Sequence, residues 1–188
     1  MMNKVLCSLL LFLSISCGLQ GRNANYARDS KRIWLDSKEI HHGEYVWKMK
    51  KAGDVISSAE KVSTLGYDTS DWLSAIVPGT VLNSLVYNKE YPEPYYGVNN
   101  KLESGKIPDI SKVGREFYTY WFRTEFDVPE SFAGKTIWLQ PDGVNYRAEI
   151  WVNGNLLSTL NGMFISDYIN VTDFVKVGRK NILAVKVY

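Results

Sequence analysis

FYTYWFRTEFDVPESFAGKTIWLQPDGVNYRAEIWVNG, residues 117–154, holds three apolar runs separated by compact turns. Phe117, Thr119, Trp121 and Arg123 alternate with Tyr118, Tyr120, Phe122 and Thr124. A period of two in aromatic and β-branched residues predicts a pleated strand over 117–124. Pro129 ends it, because proline donates nothing to a ladder. A second run, Thr136 to Leu139, rises towards Pro141-Asp142-Gly143, and a third, Tyr146 to Val152, ends in Asn153-Gly154. An Asn-Gly pair between apolar alternations predicts a two-residue hairpin, since both central residues of a type I′ turn need positive φ. The three runs read as a central hairpin core.

Working outward, Leu156 to Leu160 pairs back on the third run and Asn161-Gly162 turns again. Phe164, Ile165 and Tyr168-Ile169 supply further short runs, and Val171 to Val175 reads as a capped turn of helix ended by Gly178. Asn181 to Tyr188 is a last strand, expected at an unpaired apolar edge. Upstream, Trp34-Leu35, Ile40 and Tyr45 to Met49 predict short strands with turns at Gly43 and Gly53. The apolar run Asp71 to Val77 stops at Pro78-Gly79. Thr80 is then a helix N-cap for residues 81–86, with Val81, Leu82 and Leu85 facing inward. Turn signals at intervals of roughly eight to twelve residues, with little helical periodicity, predict an all-β fold, an antiparallel β-sandwich.

Lys and Arg number 22 against 20 Asp and Glu, a net charge of +2. The densest basic group, Lys48, Lys50 and Lys51, reads as a solvated strand end, so neither nucleic acid nor an anionic membrane surface is an expected partner. Both cysteines, Cys7 and Cys17, precede the domain, which therefore forms no internal disulfide. Lys4 followed by the apolar stretch Val5 to Ile15 is too short to span a bilayer and has the form of a secretory signal. We divide the chain into a signal peptide (1–16), a polar flexible linker (17–32) and a β-sandwich domain (33–188). Leu13-Ser14-Ile15-Ser16-Cys17-Gly18 resembles a bacterial lipobox, with Ser14 where leucine is preferred. Cys17 is thus a candidate lipidation site, the alternative being ordinary cleavage near Ser16 or Gly21. The expected location is the periplasm or, as a lipoprotein, the outer membrane of a bacterium.

Enzyme signatures are sparse. His41 and His42 are adjacent and project to opposite faces of a strand, so no metal site is expected. The chain contains no Gly-x-Ser-x-Gly elbow and no phosphate loop. Of the carboxylates that could serve a glycosidase, Glu149 shares a strand face with Arg147 and Trp151 and reads as a paired structural charge. Asp142, before Gly143, fits an Asx turn, and neither Asp109 nor Glu116 forms a pair of defined separation. No catalytic residue and no cofactor is assigned. The aromatic loop YPEPYYGVNN, residues 91–100, followed by Ile107-Pro108-Asp109, is the stronger candidate. Tyrosine rings stack on sugar C–H faces and Asn amides meet sugar hydroxyls, which makes Tyr95, Tyr96, Asn99 and Asn100 candidate substrate-binding residues. The same loop can equally be a cover over one end of the sandwich.

An ordered series of motifs carries a family resemblance: Val77 to Leu82 (VPGTVL), residues 91–100, Tyr120 to Phe126 (YWFRTEF), Asp142 to Gly154 (DGVNYRAEIWVNG) and Asn181 to Val185 (NILAV). Over about residues 34–188 the chain resembles the N-terminal sugar-binding domain of glycoside hydrolase family 2, within its β-mannosidase and exo-β-D-glucosaminidase branch. The resemblance implies a galactose-binding-like jelly roll, in the family followed by an immunoglobulin-like domain and a (β/α)8 barrel. There the barrel carries the two glutamates of a retaining mechanism. Family members also have a segment after the Leu-Ala-Val strand that completes the jelly roll. The expectation is therefore a non-catalytic sugar-binding domain of a retaining β-glycosidase, C-terminally incomplete and inactive alone. Its partners would be a β-linked oligosaccharide and the catalytic barrel of the same enzyme. The alternatives are a free-standing envelope carbohydrate-binding module and a structural domain docking on a separately encoded partner.

Overall fold

Ten strands form two antiparallel sheets in a computed structural model that describes residues 13–18, 32–40, 43–163 and 165–188, with backbone alone for 13–18, 110 and 115. The rest of the expected leader and linker, Cys7, His41, His42 and Phe164 lie outside the described residues. The strands are β1 (Leu13–Gly18), β2 (Arg32–Trp34), β3 (Trp47–Lys51), β4 (Leu73–Ser74), β5 (Tyr120–Asp127), β6 (Thr136–Pro141), β7 (Arg147–Val152), β8 (Asn155–Asn161), β9 (Ile169–Asn170) and β10 (Lys180–Val187). One sheet runs β4-β3-β5-β10-β7-β8 and the other β2-β1-β6-β9.

The opening stretch is therefore split. Its first and third runs, β5 and β7, flank β10 in the six-stranded sheet, while β6 crosses to the other sheet. The Asn-Gly hairpin forms where expected, between β7 and β8, with Asn153 and Gly154 at φ of 48° and 88°, the positive values the turn demands. The first strand also starts later than its alternation predicts. Residues Arg115–Tyr118 form a 3-10 turn, and pairing begins at Tyr120. In β5 the alternation then sorts faces: Tyr120, Phe122 and Phe126 enter the core between the sheets with Trp47, Met49, Ile150 and Leu183. The Trp47 indole N–H donates to the Leu35 carbonyl at 2.6 Å, so this large buried ring carries no orphan donor.

Trp121 and Arg123 face the other way, and the face they occupy is not bare. Residues 52–72, carrying the short helix α1 (Ala59–Val62), fold across it and bury Val62, Trp72, Trp121, Trp151 and Ala184 as a second cluster. Arg123, 4% exposed, donates through Nε to the Val62 carbonyl at 3.0 Å and through Nη2 to Thr64 at 3.0 Å. It thereby supplies the partners that the C-terminal carbonyls of a helix lack. Helix α2 (Val81–Tyr87) begins as expected, with Thr80 Oγ1 accepting the Asn83 N–H at 2.8 Å. Its buried face is Val81, Ser84 and Leu85 rather than Leu82, because Ser84 Oγ is drawn in to accept the Ile76 N–H at 3.0 Å.

Three further expectations change. Ile40 lies in a bend, its N–H donating to the Ser37 carbonyl at 3.1 Å. Residues 171–175 make a turn, with both Phe174 and Val175 N–H groups bonded to the Val171 carbonyl, too short a run to be helix. The last strand is not an edge: β10 pairs β5 on one side and β7 on the other, and the Tyr188 N–H reaches the Arg147 carbonyl at 2.9 Å. Leu13–Gly18, read from sequence as the end of the leader and the start of the linker, lies as β1 between β2 and β6.

Candidate functional site

Strand register shows where the irregular segments meet. Lys51, Tyr120, Val187, Ala148 and Leu160 are successive partners across one end of the six-stranded sheet. The long connection 88–119 enters β5 at that row, the 142–146 connection enters β7 there, and residues 161–168 leave β8 there. The last two segments are tied by the Gly162 N–H donating to the Tyr146 carbonyl at 2.8 Å, and the Asp167 N–H reaches the Pro141 carbonyl at the end of β6 at 3.3 Å. One end of the sandwich thus collects three loops, the usual place for a binding surface on a rigid β scaffold.

The 91–109 loop is a compact structure built from local turns. The Tyr96 N–H donates to Glu93, Asn99 to Tyr96 and Lys101 to Val98, at 3.2, 3.2 and 2.9 Å. A 3-10 turn, Leu102–Ser104, follows, and Asp109 then caps the short helix α3 (Ile110–Val113) by accepting the Ser111 N–H at 3.1 Å. The four predicted contact residues separate into two roles. Tyr95 and Tyr96 project outward, 85% and 77% exposed, and Asn100 is exposed as well. Asn99 is 7% exposed; its Nδ2 donates to the Glu93 carbonyl at 2.9 Å and its Oδ1 accepts from Lys106 Nζ at 3.0 Å. Its amide staples the loop and so presents the tyrosines, a role different from the direct sugar contact expected of it.

Sequence reasoning missed neighbours at the same end. Tyr146 and Tyr168 stand more than half exposed on the other two loops. At the same end Gln140 Nε2 donates to Asp142 Oδ1 at 2.6 Å, and Ser166 Oγ donates to the same oxygen at 3.4 Å. Asp142 is therefore tied to a side chain of β6 and one of the loop after β8, not to its own turn backbone as an Asx motif would be. Each tyrosine beside a turn was visible in the sequence, but the topology that brings 142–146 and 161–168 together was not.

Glu149 is structural, as its strand neighbours suggested. Its Oε1 accepts the Tyr188 hydroxyl at 2.6 Å and its Oε2 accepts the Trp151 indole N–H at 3.4 Å. The Arg147 guanidinium lies 4.6 Å from the Tyr188 ring centroid. Burial first, and the bond to Glu149 second, push the Tyr188 phenol up to about 12. Among the described residues no group of three His, Cys, Asp or Glu side chains could hold a metal ion, and no helix is long and apolar enough to cross a membrane. The assembled end offers exposed aromatic rings with amides and hydroxyls between them, which suits stacking and hydrogen bonding to a polyhydroxylated surface.

A two-sheet antiparallel sandwich presenting three loops at one end defines a galactose-binding-like β-sandwich domain. Residues 47–188 match the profile described as the glycosyl hydrolase 2 galactose-binding domain-like, and the chain belongs to that family. It is 40% identical over 120 residues to mannosylglycoprotein endo-beta-mannosidase of Lilium longiflorum, covering 64% of this chain and 12% of that protein. It is 29% identical over 136 residues to exo-beta-D-glucosaminidase of Amycolatopsis orientalis, covering 71% of this chain and 12% of the relative. The crystal structure of the Amycolatopsis orientalis exo-chitosanase superposes with a TM-score of 0.62 at 26% identity, over 77% of this chain and 16% of that one. The chain thus spans about one-eighth of the length of the curated relatives it matches.

Proposed function

We propose that this chain is the non-catalytic, sugar-contacting domain of a retaining β-glycosidase, with the loop end of the sandwich turned towards the substrate and the catalytic barrel. The observation that carries this reading is the pair of exposed rings, Tyr95 and Tyr96, held out by the buried Asn99 staple. Exposed aromatics on an ordered loop have a binding purpose more often than a packing one. The relatives' names support a β-linked hexose or amino-hexose as the substrate class, and their much greater length supports a catalytic partner beside this domain. The test has two arms. The purified chain should show no turnover of nitrophenyl β-mannoside, β-glucosaminide or β-galactoside, and turnover above the uncatalysed rate would sink the non-catalytic assignment. β-Linked oligosaccharide should perturb backbone amides of residues 94–100, and Tyr95→Ala with Tyr96→Ala should abolish that response.

Export with a lipid anchor at Cys17 belongs to the same reading, motivated by the Lys4 and Val5 to Ile15 pattern. The anchor requires cleavage just before Cys17, inside β1, so a processed chain would lack most of that strand. Mass spectrometry of the chain from an expressing bacterium distinguishes the states, and an unprocessed N-terminus in the membrane-free fraction would refute both export and acylation.

A further inference from the structure

A second recess lies at the same end, on the flank where β3 and β4 meet β5. It is an open cleft of about 260 Å³. Its apolar floor is Leu73 and Leu85, and Tyr91 and Tyr120 stand along it. Tyr120 is 8% exposed and borders the cleft, and among the described residues its hydroxyl has no hydrogen-bond partner, which leaves it free to donate to an occupant. Asp54 and Glu90 line the same space, and neither carboxylate makes a hydrogen bond or ion pair among the described residues. The basic groups are already engaged. Lys50 is ion-paired with Asp71, and the Lys51 ammonium sits 4.6 Å from the Phe117 ring centroid. Burial, followed by the electrostatic effect of Tyr91, Asp54, Tyr118 and Glu90, pushes the Tyr120 phenol up to about 12, so it remains a proton donor at any ordinary pH.

We infer that this cleft is a binding site for a single pyranose unit, separate from the Tyr95–Tyr96 surface. Three kinds of group converge there: an unpartnered hydroxyl that donates, two carboxylates that accept, and aromatic and leucine surface between them. A sugar ring matches that mosaic, with C–H patches for the apolar floor and adjacent hydroxyls that donate to carboxylate oxygens while accepting from a phenol. The volume lies below the roughly 300–1,000 Å³ of pockets for drug-sized ligands, which limits the occupant to about one ring. The two lysines that border the carboxylates temper their charge, which favours an uncharged polyol over a bare cation.

Amide chemical-shift titration of the chain with methyl β-D-mannopyranoside, methyl β-D-glucopyranoside and methyl β-D-galactopyranoside tests this. At least one should cause saturable shifts at residues 51–54, 73, 90–91 and 120, with a Kd of about 1–10 mM. Glu90→Gln and Tyr120→Phe should each weaken it about five- to ten-fold, the loss of one hydrogen bond. Leu156→Ser, on β8 and away from the cleft, should not alter it. Retained folding is checked by the melting transition, and Glu90 is exposed, so its variant tests the site even if Tyr120→Phe disturbs packing. Three results would overturn the inference: no saturable shift with any glycoside, shifts confined to residues 94–100, or equal displacement by ethanolamine, which would make the cleft a cation site. Shifts confined to 94–100 would leave the proposed function standing, and cleft shifts without loop shifts would do the reverse.

Discussion

Asn181 shows how much one buried amide can hold. It is fully buried, Nδ2 donating to the Lys176 and Arg179 carbonyls at 2.9 and 2.8 Å, while Oδ1 accepts from the Lys176 N–H at 2.7 Å and Asn153 Nδ2 at 2.8 Å. Asn153 completes the link by accepting the Ile182 N–H at 2.9 Å, so the hairpin turn and the start of β10 are one polar unit. Asn181→Leu would take the partner from three part-buried backbone groups, the Lys176 N–H and the Lys176 and Arg179 carbonyls, at about 0.5–1.5 kcal/mol for each bond lost. We expect a loss of about 2–4 kcal/mol and a melting temperature lower by roughly 5–15 °C, measured by calorimetry. Asn99→Ala should act locally instead: cleavage by trypsin at Lys101 and Lys106 should quicken while the global melt barely moves, because the loop's two amide bonds tie it only to itself. The Asn153-Gly154 turn was legible in the sequence because both its residues carry the signal. Asn99 and Asn181 were not, because their partners are defined only by the folded path of the chain.

At the scale of elements, alternation located β5, β6, β7, β8 and β10, whose apolar faces follow from period two alone. Beyond the β7–β8 hairpin it could not say which strands are neighbours, since β6 and β7 share the same pattern in different sheets. Nor could it place 52–72, a polar stretch without a period, over Trp121 and Trp151. Arg123 is the residue that fixes that cover, and burial lowers its pKa from the ordinary guanidinium value, an effect opposed by Glu125 nearby. Arg123→Met would leave the Val62 and Thr64 carbonyls without donors, so a loss of about 2–3 kcal/mol is expected. The cover should also loosen, shifting tryptophan emission to longer wavelength. Arg123→Lys, with one ammonium for two carbonyls, should fall between the two; equality with wild type would show that the guanidinium fork is not what holds the cover. The candidate site has the same limit. Tyr95 and Tyr96 announced themselves by composition, whereas the Tyr120 cleft exists only because β3, β4, β5 and the residues after α2 converge.

For the whole molecule, alkaline pH and the fate of β1 are the two levers on stability. Tyr120 and Tyr188 are each raised from 10.0 to about 12. Because the folded values lie above the unfolded ones, their contribution is complete below about pH 10 and is lost between about 10 and 12. For the buried Tyr120 this amounts to at most about 3 kcal/mol, so the wild-type melt should fall steeply across that window and Tyr120→Phe should flatten the fall. β1 acts through pairing. It lies between β2 and β6, with Leu13 opposite Pro141 and Gly18 opposite Thr136, so a chain beginning after Gly21 would leave β2 without its described partner and expose one edge of β6. The amides of Thr136, Trp138 and Gln140, which alternation turns towards β1, should then exchange faster, while the Ile137 N–H stays held by Thr172 Oγ1, and the melting temperature should drop. If the shortened chain matches the full one in both measurements, β1 contributes nothing to the mature sandwich and its removal on export would be without structural consequence. If it is destabilised as expected, the four-stranded sheet needs a strand in that position, and the exported domain would reach full stability only where another strand supplies the pairing that Leu13–Gly18 gives here.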